Sequence, residues 1–368
     1  MAVKNVAILG GGAGALATGA DLTRRGFSVN LFELPQLRDG IKEVIEKGGI
    51  EVKGPALKEG FVKFNRVTVD IREALEGADI VLLVVPGFGV ETFAELSGPF
   101  LKEGQMVVVM MAGTLGALRF DRKVKEIAKG KKIRVAETST LPYATRRIGP
   151  STINLLLLTK GFFFAAFPGD ETAEMIAVFR ELYPSTTQAA NILETTLNNG
   201  NPVIHPAGSL MNVGRIEFSK GEFYLYREGI SEGVARVIEA VDRERLALCR
   251  KMGFKEVPTT ERIVKYGYTQ PAASLYEELH NSSIYPVAKG PLNIHDRYIS
   301  EDIPYGLVLW ASIARNIGVA TPLIEALIEV GSALCEKDFR KEGLSAEKVG
   351  LGGLNASALN KYLMTGKK

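Results

Sequence analysis

The apolar run Val6-Ala7-Ile8-Leu9 ends directly in GGGAGALA, residues 10–17, and this junction constrains the fold more than any other stretch of the chain. A short buried strand that meets glycines and then small helix formers reads as strand, turn and helix. In a βαβ unit of this kind the turn is where a dinucleotide pyrophosphate binds. Gly10 takes the tight turn, Gly12 lets the backbone approach a phosphate, and Ala15 lets the new helix pack closely on its strand. The first helical residues, Ala13 and Gly14 among them, direct amides and the positive end of the helix dipole at the anion. The helix runs through Asp21, Leu22 and Arg25 to Gly26, and a second strand, Ser28 to Phe32, ends in Glu33. An acid about twenty residues past the glycines accepts from the ribose diol and repels a 2′-phosphate, so NAD is expected, with NADP left open by Arg38 nearby.

A chain of 368 residues, 46% of them hydrophobic, is long enough for two domains. Lys+Arg 45 against Asp+Glu 42 leaves a net charge of +3 with the signs interspersed, which gives no footprint for nucleic acid or membrane. Cys249 and Cys335 stand far apart, outside any paired-cysteine motif, so neither a disulfide framework nor a zinc site is expected. No apolar stretch reaches the roughly 20 residues of a membrane span. The protein is therefore expected to be soluble and cytoplasmic, and a homodimer is compatible with the sequence.

Through about residue 185 short apolar runs alternate with helical segments, as a doubly wound, mostly parallel α/β sheet requires. Ala78 to Val85 and Gln105 to Met111 read as buried strands, and Arg134 to Glu137 and Ile153 to Leu158 as further ones. Ligands of such sheets lie outside the carboxyl ends of the strands, so Val85-Pro86-Gly87 and Ala112-Gly113-Thr114 are expected to border the nicotinamide half; as simple strand-ending turns they read equally well. After Tyr183-Pro184 long helical patterns take over, at Ile230 to Met252, Thr259 to Lys265 and Leu307 to Ala314. The expected domains are 1–185, Rossmann-like, and 186–368, all-α.

A nicotinamide enzyme that reduces C=O or C=N needs a proton donor beside the hydride acceptor, and histidine suits that task. Of His205, His280 and His295, His205 stands out in NNGNPVIHPAGSLMN, where amides, glycine and two prolines interrupt a helical region in a way that suits a cleft. His280, in EELHNSS, reads as a surface or capping residue. Downstream, HDRYISEDIPYGLVLW offers Arg297, able to clamp a carboxylate with two hydrogen bonds, and Asp302, able to fix the tautomer of a histidine. From spacing alone Asp302 fits a helix N-cap better, since Pro304 follows closely.

These segments resemble the octopine/nopaline dehydrogenase family, the opine dehydrogenases. The likeness rests on ETSTLPYATR at 137–146, NGNPVIHPAGSLMN at 199–212, and SLYEELHNSSIYPVAKGP continuing into HDRYISEDIPYGL at 274–307, and it extends over almost the whole chain. It implies a Rossmann-like cofactor domain followed by an all-α catalytic domain, with His205 as acid/base, Asp302 as its partner and Arg297 on the substrate. It also implies reductive condensation of a 2-oxo acid with the amino group of an amino acid, driven by NADH or NADPH. Thr138, Tyr143 and Tyr276 are expected in the region that selects the amino acid; it holds no acidic cluster that demands a cationic side chain, and Glu277 and Glu278 are candidates for meeting one. Two rival readings are a 2-hydroxy-acid or glycerol-3-phosphate-like dehydrogenase, whose helical-domain catalyst is typically a lysine, and a non-catalytic NAD-binding sensor, which has no use for a His-Asp pair.

Overall fold

The computed structural model describes residues 2–110, 113–128 and 130–368. Twelve strands are found among them: β1 (Asn5–Leu9), β2 (Ser28–Phe32), β3 (Gly49–Lys53), β4 (Gly60–Lys63), β5 (Arg66–Thr68), β6 (Ile80–Leu83), β7 (Met106–Val109), β8 (Arg134–Thr138), β9 (Tyr143–Gly149), β10 (Thr152–Leu158), β11 (Phe162–Phe167) and β12 (Thr186–Gln188). Eight of them form one sheet in the order β12-β11-β8-β7-β6-β1-β2-β5. Every pair from β5 to β8 is parallel, while β11 runs antiparallel to β8. Between β1 and β6 the winding reverses, and it is outside the carboxyl ends of such a strand pair that α/β sheets bind ligands. The glycine turn leaves β1 at this position.

The sequence reading placed Ile153 to Leu158 in the same sheet, and the structure corrects this. β10 belongs to a second, four-stranded sheet ordered β4-β3-β10-β9. Helix Ala13–Arg24 lies between the two sheets, so it is buried on both sides, from Ala15 through Leu22. Its small residues follow from that position: a Cβ at Gly14 would come 2.6 Å from Leu141 Cδ1, and one at Gly19 would come 3.0 Å from Phe64 Cε1. Polar groups at the inner face are paired. The Tyr143 hydroxyl donates to Asp21 Oδ2 at 2.8 Å and lies 2.8 Å from the Tyr183 hydroxyl. Burial pushes the Tyr143 hydroxyl far above its ordinary pKa, and Tyr183 and Asp21 add to the effect.

Two compact units divide the chain, Met1–Thr195 and Thr196–Lys368. The first unit extends past Tyr183-Pro184, where the sequence changes texture, because β12 still pairs in parallel with β11 and the Thr195 hydroxyl donates to Glu137 Oε1 at 2.6 Å. Helices build the second unit, including Asn201–Leu210, Glu232–Met252, Thr259–Lys265, Val308–Ile317 and Pro322–Cys335. Among the described residues no helix is long and apolar enough to cross a membrane, and no group of His, Cys, Asp and Glu could hold a metal ion.

Replacing Tyr143 by Phe removes the 2.8 Å donor to the buried Asp21 carboxylate, which keeps only the 3.5 Å contact with Arg25, and is expected to cost about 1–3 kcal/mol. Urea unfolding with an unchanged m-value measures this, and a loss below about 0.5 kcal/mol, the range of ordinary surface changes, would show that the network does not hold the helix.

Candidate active site

In the first unit the site is built on the glycine turn. Gly10 has φ +123°, its N–H donates to Phe32 O at 2.8 Å, and a Cβ there would lie 2.3 Å from Val84 O. Gly12 precedes helix Ala13–Arg24 in extended backbone, and a Cβ on it would meet nothing within 4 Å among the described residues. The protein therefore leaves space at the residue that the sequence reading assigned to phosphate approach, and the turn fits a dinucleotide.

Glu33 follows β2 and turns its carboxylate toward the glycines. Oε2 accepts from Gly11 N and Oε1 from Leu34 N, each at 2.8 Å. Burial raises its pKa above the ordinary carboxylate value, although the Leu34 and Gly11 amides and the charge of Arg147 work in the opposite direction. The expected loops after β6 and β7 also come together. Pro86 starts a short 3-10 turn, Gly87–Gly89, in which a Cβ on Gly87 would lie 2.9 Å from Thr114 Cγ2. Ala112 and Met111, named in the sequence reading, lie outside the described residues.

A buried acid escaped the sequence reading's site assignment. Glu137 is fully enclosed at the end of β8, where Oε2 accepts from Ala117 N at 2.9 Å and so anchors the start of helix Gly116–Ile127. A charged residue inside the strand RVAET was the available signal. Thr138 beside it is buried, with its hydroxyl on Thr140 O at 3.0 Å. Tyr143 serves the helix network described above, between Asp21 and Tyr183.

In the second unit His205 and Asp302 meet. Nδ1 of the imidazole lies 2.7 Å from Asp302 Oδ2, with both residues buried. An ionised carboxylate only accepts, so Nδ1 donates and Nε2 is the nitrogen free to act; among the described residues it has no protein partner. The sequence reading placed His205 on irregular backbone, and the structure corrects this too. His205 is inside helix Asn201–Leu210, where Pro202 occupies the first turn and needs no N–H, and Pro206 interrupts only one bond of the ladder.

Ahead of this helix, two buried arginines hold the chain. Arg245, paired with Asp242 at 2.8 Å, donates to Leu197 O at 3.0 Å and Val257 O at 2.7 Å. Arg262 packs against Gly200 and donates to Asn198 O at 3.5 Å.

Asp302 is not an N-cap. It begins a π-helical turn, Asp302–Leu307, and the amides that a cap at this position would serve are unavailable: Pro304 has no N–H, and the Tyr305 N–H donates to Glu301 O at 2.9 Å. The carboxylate is thus left for the imidazole. The capping role falls instead to Asp296, whose Oδ1 accepts from Tyr298 N at 3.2 Å at the start of helix Arg297–Ser300. Arg297 is exposed, and its guanidinium is unpaired among the described residues. Crowding by protein works against its charge, but Glu301 and Asp302, with Tyr298 and Asp296, outweigh that and hold it more firmly protonated than usual.

Tyr298, which the sequence reading did not single out, lies face to face with His205, ring centroids 3.9 Å apart and planes 19° apart. Tyr276 is half-buried on helix Leu275–Asn281, against His280. His280 itself places Nδ1 2.8 Å from Tyr276 O and Nε2 3.0 Å from Arg227 O, which ties that helix to its neighbour. Glu277 accepts from Ala273 N at 3.0 Å, and Glu278 is buried, with its pKa raised by that burial.

Comparison with known proteins identifies the family. Residues 188–335 match the family model described as NAD/NADP octopine/nopaline dehydrogenase, alpha-helical domain. The chain is 33% identical to an opine dehydrogenase of Arthrobacter sp. (strain 1C), over 97% of this chain and 98% of that protein. It is 30% identical to Protein ocs of Agrobacterium tumefaciens (strain Ach5), over 98% and 99%. Among solved structures, an octopine dehydrogenase with NADH and pyruvate superposes with a TM-score of 0.73 at 21% identity, covering 99% of this chain and 98% of the other. At that identity the likeness speaks for the fold.

The two glycines should respond differently to substitution. Gly10→Ala forces a Cβ onto a carbonyl at positive φ and is expected to cost about 1–3 kcal/mol or more, whereas Gly12→Ala should stay within about 0.5 kcal/mol. Equal losses at the two positions in urea unfolding would contradict the geometry of the turn.

Proposed function

Because the chain belongs to the opine dehydrogenase family, we propose that it reductively condenses a 2-oxo acid with the amino group of an amino acid, using a reduced nicotinamide dinucleotide, to give an N-(carboxyalkyl) amino acid. The observation that carries this reading is the buried His205–Asp302 pair at 2.7 Å, which leaves Nε2 for chemistry. Octopine dehydrogenase structures holding NADH with pyruvate or with L-arginine support the substrate classes. A bound reduced nicotinamide supplies the hydride that converts the imine carbon to a secondary amine.

This chain's residues handle protons and charge. His205, as imidazolium, polarises the imine through Nε2–H and gives up a proton as the amine forms; in the reverse direction neutral Nε2 takes it back. Asp302 holds Nδ1–H, fixes the tautomer and stabilises the charged ring. Arg297, charged and without an ion-pair partner among the described residues, orients a substrate carboxylate by two parallel hydrogen bonds. Gly10, Gly12, Ala13, Gly14 and Ala15 shape the pyrophosphate turn, Glu33 takes the ribose diol and Pro86 borders the nicotinamide. Thr138, buried at the carboxyl end of β8, shapes the substrate region from behind, and Tyr276 contributes to the choice of amine. NAD is the expected cofactor; a yersinopine dehydrogenase structure with NADP+ keeps the phosphorylated form in play for this fold.

The test is cofactor oxidation by the purified protein with NADH and pyruvate, with and without each of a panel of amino acids. Turnover that needs both partners supports the reading, turnover with the oxo acid alone indicates a hydroxy-acid dehydrogenase, and binding without turnover indicates a sensor. His205→Ala should lower kcat by roughly a hundredfold or more, and Asp302→Asn by a similar order through the wrong tautomer, with NADH affinity little changed in both.

Glu33 gives a separate check. Its ionised form accepts from the ribose, and because burial raises its pKa, protonation begins at a higher pH than for a solvent-exposed glutamate. NADH affinity should therefore weaken as pH falls through the mildly acidic range, and Glu33→Gln should flatten that dependence. An unaltered pH profile in the variant would remove Glu33 from ribose binding.

A further inference from the structure

We propose that Tyr298 is the positioning residue that sets the plane of the His205 imidazole, an inference that rests on the reading of His205 as acid/base. A single hydrogen bond from Nδ1 to Asp302 restrains one nitrogen of a ring tethered at Cβ, but hydrogen bonds tolerate bending, so coupled rotation of the two side-chain torsions leaves a second angle, the tilt of the ring, loosely set. The line along which Nε2 meets its reaction partner depends on this second angle. Among the described residues His205 has no other side-chain hydrogen bond, so the angle must be set by packing. The Tyr298 ring supplies it, with centroids 3.9 Å apart, planes 19° apart and only 7% of each residue exposed.

The platform is itself held from the backbone. Asp296 accepts from Tyr298 N at 3.2 Å, and the Ile299 N–H donates to Asp296 O at 2.9 Å, so the first turn of helix Arg297–Ser300 cannot drift without losing its cap. The same turn carries Arg297. One short capped helix therefore sets both the plane of the imidazole and the base of the guanidinium that orients the substrate. Proton transfer and carboxylate alignment are linked through two adjacent residues. Preorganisation of this kind acts on kcat, because misplacement by a fraction of an ångström weakens the transition-state contact more than the binding of either partner.

The experiment combines spectroscopy with kinetics. Stacking at 3.9 Å places the His205 ring protons in the shielding region of the tyrosine face, so in histidine-labelled protein their resonances should lie upfield. With three histidines in the chain, the signal lost in His205→Ala assigns them. The upfield shift should persist in Tyr298→Phe and vanish in Tyr298→Leu. Tyr298→Leu should lower kcat about tenfold or more with NADH affinity and the KM for the oxo acid near wild type, while Tyr298→Phe stays within about twofold.

Wild-type kcat in a folded Tyr298→Leu whose shift has vanished would overturn the positioning role. Ordinary His205 shifts in the wild-type protein would overturn the stack itself, a result that needs no variant to fold. Full activity of His205→Ala would remove the acid/base reading instead, and leaves the ring-current measurement intact, so the two failures are told apart.

Discussion

The bond between His205 Nδ1 and Asp302 Oδ2 joins segments 97 residues apart, and much of the helical unit is arranged so that it can form. A carboxylate withdrawn from water needs a partner that hydrogen-bonds it, and an imidazole buried beside it needs its tautomer fixed. Two buried arginines, Arg245 and Arg262, brace the carbonyls of Leu197 and Asn198 just ahead of helix Asn201–Leu210 and so set where that helix begins. Arg262 is held below its ordinary pKa by burial and then by the charge of Arg245, and Asp242 is the counter-charge that lets two guanidiniums share one interior. Burial works against the ionised form of Asp242, but Arg245 and Arg262 outweigh it and hold that carboxyl below its ordinary value.

The nucleotide half relies on a different economy of contacts. Helix Ala13–Arg24 is covered by a sheet on each side, and small residues at Gly14 and Gly19 are what allow Leu141 and Phe64 to approach. Glycine therefore has two roles in this stretch. Gly10 meets a backbone need, Gly14 and Gly19 meet a packing need, and Gly12 faces open space among the described residues. Carboxylates then set the loops around the turn: Glu33 holds the amides of Gly11 and Leu34, and Glu137 holds that of Ala117. A carboxylate that orders two amides ties their placement to its own charge, so the ionisation of Glu33 bears on the order of the turn.

Local pattern made the first unit's main sheet legible. Strand runs at Val6, Ser28, Ile80 and Met106 are bounded by glycine or proline, and each occurs as a strand within a residue or two of its expected place. The second sheet was not legible, because charged residues at Glu51, Lys53, Lys63, Arg146 and Arg147 break the apolar pattern of β3, β4 and β9, and the pairing of β3 with β10 that joins the two hairpins links segments about a hundred residues apart. In the helical unit His205 stood out by its setting, and its meeting with Asp302 followed from the family likeness alone, since spacing favoured a cap. Tyr298 did not stand out, since a tyrosine in RYIS carries no mark of what its ring will lie against.

Asp302 shows why local rules fail where chemistry is placed. An aspartate followed by Ile303-Pro304 is a good start for a helix, and by that logic its carboxylate would be spent on the helix's own amides. The proline that suggests the cap also removes one of the two amides it would need, and the π-helical turn gives the other, on Tyr305, to the carbonyl of Glu301. With neither local amide able to donate, the carboxylate has to find a donor elsewhere, and the imidazole of His205 is that donor. The irregular turn is therefore the means by which a helix-starting sequence is kept from satisfying itself. Helix Val308–Ile317 follows without a side-chain cap of its own, consistent with an aspartate whose hydrogen bond has been moved from local structure to a distant ring.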